Sequence, residues 1–250
     1  MFSFFDSLLK KIPLVVRLNA RLNYYVNNQL ERDAFVRKSL SELASGISIL
    51  DAGSGSQRYR KYCGRFSYFS QDKAEFSIPV RPGLLFEGDD EGYKYGPLDY
   101  RGDIWSISEE DERFDAILCT EVIEHVPFPV QTLKELARLL KPGGTLILTF
   151  PGASLRHFDP YYFYSGFSDR WIEFHSANIG LKIDEIEVSG DYYRWLGCEA
   201  YRSAQGGKRE SLFSRFVYFL IFLWYLSRSK TRESIDTLTL GYHVKLRKRV

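Results

Sequence analysis

The 250-residue chain is short of cysteine, with Cys63, Cys119 and Cys198 its full complement. Three scattered thiols are too few for a disulfide framework or a cysteine zinc site, and the expected setting is the reducing cytoplasm. Strong charge of either sign is also missing. A formal net charge of +2 carries no polyelectrolyte signal, so no nucleic-acid partner is expected. No stretch approaches the roughly 18 uninterrupted apolar residues of a membrane span. The N-terminus reaches Lys10-Lys11 only after apolar residues, the wrong charge order for a secretory signal. No repeat divides the chain, and 44% hydrophobic with 16% aromatic content is enough for one large core.

What is present begins at Ile49-Leu50-Asp51-Ala52-Gly53-Ser54-Gly55-Ser56. Ile47 and Ile49-Leu50 read as a short buried strand running into a glycine-punctuated turn. Glycines accept positive φ and let a ligand approach the backbone closely. A helix starting near Gln57 would aim free N–H groups at whatever sits over that turn. A dinucleotide fingerprint would place a third glycine three residues after Gly55, and that position is Arg58, which argues against a nicotinamide or flavin enzyme. A second strand over Tyr68–Gln71 is followed by Asp72, 21 positions after Asp51. That is close to the spacing of about 20 at which a carboxylate reaches ribose hydroxyls.

A second set of elements follows. Phe114–Thr120 reads as a buried strand, then come Glu121-Val122-Ile123-Glu124-His125-Val126 and Pro127-Phe128-Pro129. A helix carries Val130, Leu133, Leu136, Ala137 and Leu140 on one face, Lys141-Pro142-Gly143-Gly144 ends it, and Thr145–Phe150 is the next strand. Together with the first turn and Gly102-Asp103-Ile104, this series resembles class I S-adenosylmethionine-dependent methyltransferases. The nearest branch is the type 11 group, which includes ubiquinone-pathway O-methyltransferases and enzymes of bacterial glycan pathways. The resemblance covers about residues 46–190, with a last strand returning at 237–247.

The implied fold is α/β: a Rossmann-like, mostly parallel seven-stranded sheet, helices on both faces, and an antiparallel last strand at the sheet edge. Residues 1–45 are expected to form a helical cap, with amphipathic pieces at Phe4–Leu18 and Asn23–Leu43. Residues 46–250 form the binding domain, with an apolar helical insertion at about 209–228. The implied cofactor is S-adenosylmethionine. Asp51, Ala52, Gly53, Ser54 and Gly55 match the first motif, in which the acidic residue orders the turn. Asp72 matches the ribose carboxylate, Asp103 and Ile104 the adenine contacts, and Thr120 and Glu121 the methionine end. Ser56 stands where a third glycine is common. Trp105 either covers the adenine or packs in the core, and Asp115 reads as a structural hydrogen-bonding residue.

Methyl transfer from a sulfonium needs mainly alignment, and a general base adds about 10²–10⁴-fold for an oxygen acceptor. His125 and His157 follow sheet strands at the ligand-bearing edge and are the candidate bases. His175 and His243 read as structural. Glu121, Glu124, His125 and His157 could also gather a divalent cation, as in small-RNA 2′-O-methyltransferases, but the same letters serve as a structural turn, and no metal is expected. Tyr161 and Tyr162 are candidate acceptor contacts, and Ser168 should cap the helix containing Trp171, Ile172 and Phe174.

Two segments stay open. Between Glu75 and Tyr100 lie three prolines, four glycines and acidic Glu87, Asp89, Asp90 and Glu91, either a lid or a solvated loop. Phe216–Leu226 holds eleven apolar residues between Lys208, Arg209, Arg215 and Arg228, Lys230, Arg232. It suits a helix at a membrane interface, one buried against the sheet, or a homodimer contact. The expected partner is a small-molecule, sugar or lipid-linked acceptor of the glycan or quinone type. The alternatives are a catalytically silent scaffold docking through 212–226, or a metal-assisted RNA methyltransferase.

Overall fold

Apolar side chains that alternate along the central strands must be covered on two faces, and that requirement sets the layers. The structure, a computed structural model, describes residues 28–75, 94–206, 212–228 and 232–250. The expected helix at Phe4–Leu18, the acidic run 87–91, and Lys208, Arg209 and Lys230 lie outside these residues.

Strands β1 (Ser48–Ala52), β2 (Ser67–Asp72), β3 (Tyr100–Arg101), β4 (Phe114–Thr120), β5 (Leu140–Pro151), β6 (Leu181–Ser189) and β7 (Gly241–Lys248) form one sheet in the order β3-β2-β1-β4-β5-β7-β6. The first five are parallel, and β7 is antiparallel to both neighbours. The mostly parallel sheet matches the expectation, but the last strand is not at the edge. It inserts between β5 and β6, pairing Thr149 with His243 on one side and Glu187 with His243 on the other. Burial explains the position: His243 and Val244 point to opposite faces and both are buried, as an inner strand requires. The margin falls to β6, whose Lys182, Asp184, Glu185 and Glu187 keep the exposed edge charged.

Helix α1 (Gln29–Ser41) covers one face, packing Phe35, Val36 and Leu40 against Ile49, Ala116, Leu118 and Ile147. Helices α2 (Pro129–Leu139) and α3 (Asp169–Asn178) cover the other with Leu133, Leu136 and Ile172 against Leu50, Ile117, Leu148 and Val244. Proline at the first turn of α2 gives up no helical hydrogen bond. Ser168 caps α3 by accepting the Trp171 N–H at 3.2 Å. Helices α4 (Tyr192–Gly206), α5 (Leu212–Arg228) and α6 (Arg232–Thr237) lie between β6 and β7.

The apolar helix α5 divides its surface. Phe222 is buried where Gly197 of α4 leaves room, a Cβ there meeting its ring at 3.4 Å. Tyr193 and Tyr225 stack with ring centres 6.4 Å apart. Val217, Leu220, Leu223 and Trp224 remain exposed, with the Arg228 guanidinium 4.7 Å from the Trp224 ring centre. Among the described residues, no helix is long and apolar enough to cross a membrane.

An ion cluster ties α1 to the sheet margin. Glu185 receives Lys245 at 2.8 Å and also Lys38, while Lys245 reaches Glu42 at 2.7 Å. Lys245 and then Lys38 hold the Glu185 carboxyl down at about 2. A depressed folded pKa stabilises above the unfolded value near 4.5 and loses that contribution as pH falls toward 2. Glu185→Gln is therefore expected to cost up to about 1 kcal/mol at pH 7, the scale of a partly exposed pair. Urea denaturation should show that gap shrinking by more than half at pH 3, and a pH-independent gap would assign the loss to packing.

Candidate active site

The turn after β1 is built by two glycines at positive φ, Gly53 at 70° and Gly55 at 50°. Strand β2 supplies their partners. The Gly53 N–H donates to the Gln71 side chain at 3.2 Å, the Ser54 N–H to the Gln71 carbonyl at 2.9 Å, and the Gly55 N–H to the Asp72 carboxylate at 2.9 Å. Turn ordering expected of Asp51 is thus done by Gln71 and Asp72. Asp51 instead accepts the Tyr68 hydroxyl at 2.7 Å. Burial pushes its carboxyl up to about 7, opposed by that hydroxyl and aided by the charge of Asp72.

No α-helix follows the turn among the described residues, contrary to the expectation at Gln57. Gln57 has φ of 58°, and only a 3-10 turn forms at Arg60–Tyr62. The segment is pinned sideways to α1 before a helix can propagate. Tyr59 and Cys63 are buried there, and Tyr59 donates to Asp33 at 2.8 Å while Arg58 pairs with the same carboxylate. Arg58, at the missing glycine position, therefore anchors the turn to α1.

Over the carboxyl ends of β1, β2 and β4 lies a cavity of about 220 Å³. Gly53, Gln71, Asp72, Asp103, Ile104 and Glu121 line one end; Val126, Phe158, Tyr161 and Phe163 wall the other around His125. Of the residues singled out from sequence, Gly53, Asp72, Asp103, Ile104, Glu121, His125 and Tyr161 reach the cavity, and Trp105 does too. Asp51, Ala52, Ser54, Gly55, Thr120, His157 and Tyr162 do not line it. Tyr162 turns its hydroxyl to the Ser154 carbonyl at 2.7 Å. Asp72 gives one oxygen to Gly55 and the other to the Ala74 N–H at 2.8 Å, and each oxygen can still accept a second hydrogen bond. Gln71, Val122 and Phe158 were not anticipated. Gln71 adjoins Asp72 and could have been flagged, whereas Phe158 carries no local signal.

Beyond β4 the backbone is forced. Glu121 has φ of 52°, and its carboxylate accepts the Thr149 hydroxyl at 2.9 Å and pairs with Arg32 of α1 at 3.1 Å. Burial works against the Arg32 charge, but Glu121 and Tyr59 more than offset it and raise its pKa. Glu124 differs: it is 0% exposed and neither carboxylate oxygen has a hydrogen-bond partner. Burial and then Glu121 drive its pKa well above the ordinary range. Its backbone carbonyl accepts the N–H groups of Phe163 and Tyr164 at 3.2 and 3.1 Å, tying the segment after β5 to this turn. His125 sits beside it with Nδ1 2.8 Å from the Tyr161 carbonyl. Burial, then the neighbouring His157, lowers its pKa to about 4. The His125 and His157 rings lie 4.8 Å apart.

With this geometry in view, the comparisons with known proteins are consistent. A family profile described as "Methyltransferase domain" matches residues 26–193. A protein of Xylella fastidiosa (strain 9a5c) named "Ubiquinone biosynthesis O-methyltransferase" is 32% identical over 117 residues, 46% of each chain. The chain thus spans less than half the length of that relative. A solved S-adenosylmethionine-dependent methyltransferase from Archaeoglobus fulgidus shares the fold, with a TM-score of 0.53, 17% identity, and coverage of 89% of this chain and 95% of that one. Haemonchus contortus phosphoethanolamine N-methyltransferase 2, solved with S-adenosyl-L-methionine, aligns at a TM-score of 0.50 and 17% identity over 88% of this chain and 52% of that one.

A Cβ on Gly53 would lie 2.5 Å from the Val122 side chain, at a φ of 70° that side chains rarely adopt. Gly53→Ala is expected to lower the unfolding free energy by about 1–3 kcal/mol. Adding Val122→Ala should recover part of that loss in a double-mutant cycle by chemical denaturation. No recovery would assign the whole cost to backbone conformation.

Proposed function

We propose that this chain, which belongs to the methyltransferase domain family, transfers a methyl group from S-adenosylmethionine to an oxygen of a small, largely apolar acceptor bearing an aromatic ring. The observation that carries this reading is a cavity with two chemically different ends. At one end, Asp72 would accept from ribose hydroxyls and Asp103 from the adenine amine, and Gly53 would let the methionine part lie against the backbone. Ile104 and Trp105 supply apolar cover. At the other end, Val126, Phe158, Tyr161 and Phe163 form a wall suited to a flat, poorly hydrated acceptor. The relative named as a ubiquinone-pathway O-methyltransferase supports an acceptor of the quinone-precursor type.

In the reaction the acceptor oxygen attacks the methyl carbon in line with the sulfonium. With the donor bound, methyl transfer would break the S–C bond to leave S-adenosylhomocysteine, and the acceptor hydroxyl would pass its proton to the Nε2 of His125. The sulfonium carries the activation, so the protein contributes alignment and exclusion of water. If the acceptor has a lipid tail, the exposed Val217, Leu220, Leu223 and Trp224 of α5 would let the enzyme meet it at a membrane surface.

Calorimetric titration with S-adenosylmethionine and S-adenosylhomocysteine tests the reading. Micromolar binding is expected, weakened about tenfold or more in Asp72→Ala, the loss appropriate to charge-assisted hydrogen bonds worth about 1.5–3 kcal/mol. Folded protein that binds neither ligand would refute the enzyme reading and favour a silent scaffold.

A further inference from the structure

The face of α5 turned away from α4 is apolar, and the described residues leave it uncovered. Val217, Leu220, Leu223 and Trp224 are between 37% and 52% exposed. Their spacing puts them on one arc of about 120° of the helix, while Phe222, buried beside Gly197 of α4, lies on the opposite side. Ser227 falls on the same arc, and its hydroxyl donates back to the Trp224 carbonyl at 2.7 Å, so it does not require water. One exposed leucine is ordinary, but four large apolar side chains on one arc mark a contact surface. The methyltransferase-domain profile ends at residue 193, so α5 lies outside the part of the chain shared with that family.

We propose that α5 docks on an anionic lipid bilayer, lying along the headgroup region with this arc turned inward. Charge decides the occupant. Between Glu210 and Glu233 the chain carries Arg215, Arg228, Lys230 and Arg232 and no acidic residue. An apolar helix flanked by cations at both ends suits a surface that offers hydrocarbon and negative headgroups together. The Arg228 guanidinium already stands 4.7 Å from the Trp224 ring centre, an arrangement fitted to the boundary between hydrocarbon and water. A second copy on the same face would bring its own cations against these, with no carboxylate in the run to answer them. The helix lies along the bilayer and not through it: 17 residues reach only about 25 Å, and one side is taken by α4. Helix α4 also ties this surface to the site, because Trp195 Nε1 donates to the Ala153 carbonyl at 3.2 Å, in the segment that continues to Phe158 and Tyr161. Delivery of an acceptor along that link rests on the methyl-transfer reading; the docking face does not, and it holds whether or not the acceptor is a lipid.

The full chain should be floated with vesicles of phosphatidylcholine alone and of phosphatidylcholine containing about one-third phosphatidylglycerol. Partition onto the anionic vesicles is expected to be at least about tenfold stronger, and to fall at least about tenfold in the neutral double variant Leu220→Gln, Leu223→Gln. Arg228→Gln should narrow the preference for anionic over zwitterionic vesicles. All three side chains are exposed, and an unchanged thermal midpoint verifies that the variants fold. Equal partition onto the two vesicle types, or equal partition of the wild type and the double variant, would overturn the proposal. So would a concentration-dependent dimer in sedimentation that the double variant abolishes, seen without vesicle binding, which would assign the face to a second copy. Titration with S-adenosylmethionine separates the two readings: donor binding without vesicle binding refutes docking alone, and vesicle binding without donor binding refutes the methyltransferase reading alone.

Discussion

The site depends on how closely the turn after β1 approaches the turn after β4. Gly53 and Val122 touch so tightly that no Cβ fits at residue 53, and this contact sets the floor of the cavity. Positive φ at Gly53 and Gly55 curls the backbone there, and the freed N–H groups would be unsatisfied without partners. Gln71 and Asp72 at the end of β2 provide them. The carboxylate proposed to hold the ribose therefore also holds the turn.

The end after β4 is organised by charge. Arg32 comes from α1, yet it meets Glu121 at the carboxyl end of the sheet, and Thr149 of β5 takes the other oxygen. A partly buried pair of this kind needs good geometry to repay its desolvation. Here the return is positional: a residue at φ of 52° is clamped from two elements. Glu124, three residues on, has no such clamp, and burial leaves its carboxyl at a raised pKa. Two acidic residues in one short run thus have opposite environments, one paired within the fold and one buried without a hydrogen bond to its carboxylate.

Much of the fold was legible because its signals are local. The apolar runs at Ile49-Leu50, Phe114–Thr120 and Thr145–Phe150 became β1, β4 and β5, and Ser168 caps α3 as its position predicts. The order of strands at the far margin was not legible. Alternation along Tyr242, Val244 and Leu246 marks a strand but does not say which neighbours it pairs with, and the choice between edge and interior is made by long-range burial of His243 against Phe35. The failed helix at Gln57 has the same origin. Its local sequence permits a helix, but Asp33, 25 residues earlier, takes Arg58 and holds the chain in turns.

The donor end and the acceptor end differ in legibility for a physical reason. The proposed donor contacts sit where strands stop, so Asp72 and Asp103 follow from strand boundaries. The acceptor wall comes from Phe158, Tyr161 and Phe163, in a segment after β5 with no periodicity, and Phe158 holds φ of 54°. That segment is fixed by remote bonds: Phe163 and Tyr164 to the Glu124 carbonyl, and Tyr161 to the His125 ring. A change at Glu124 or His125 therefore acts twice, on the chemistry at that end and on the shape of the wall.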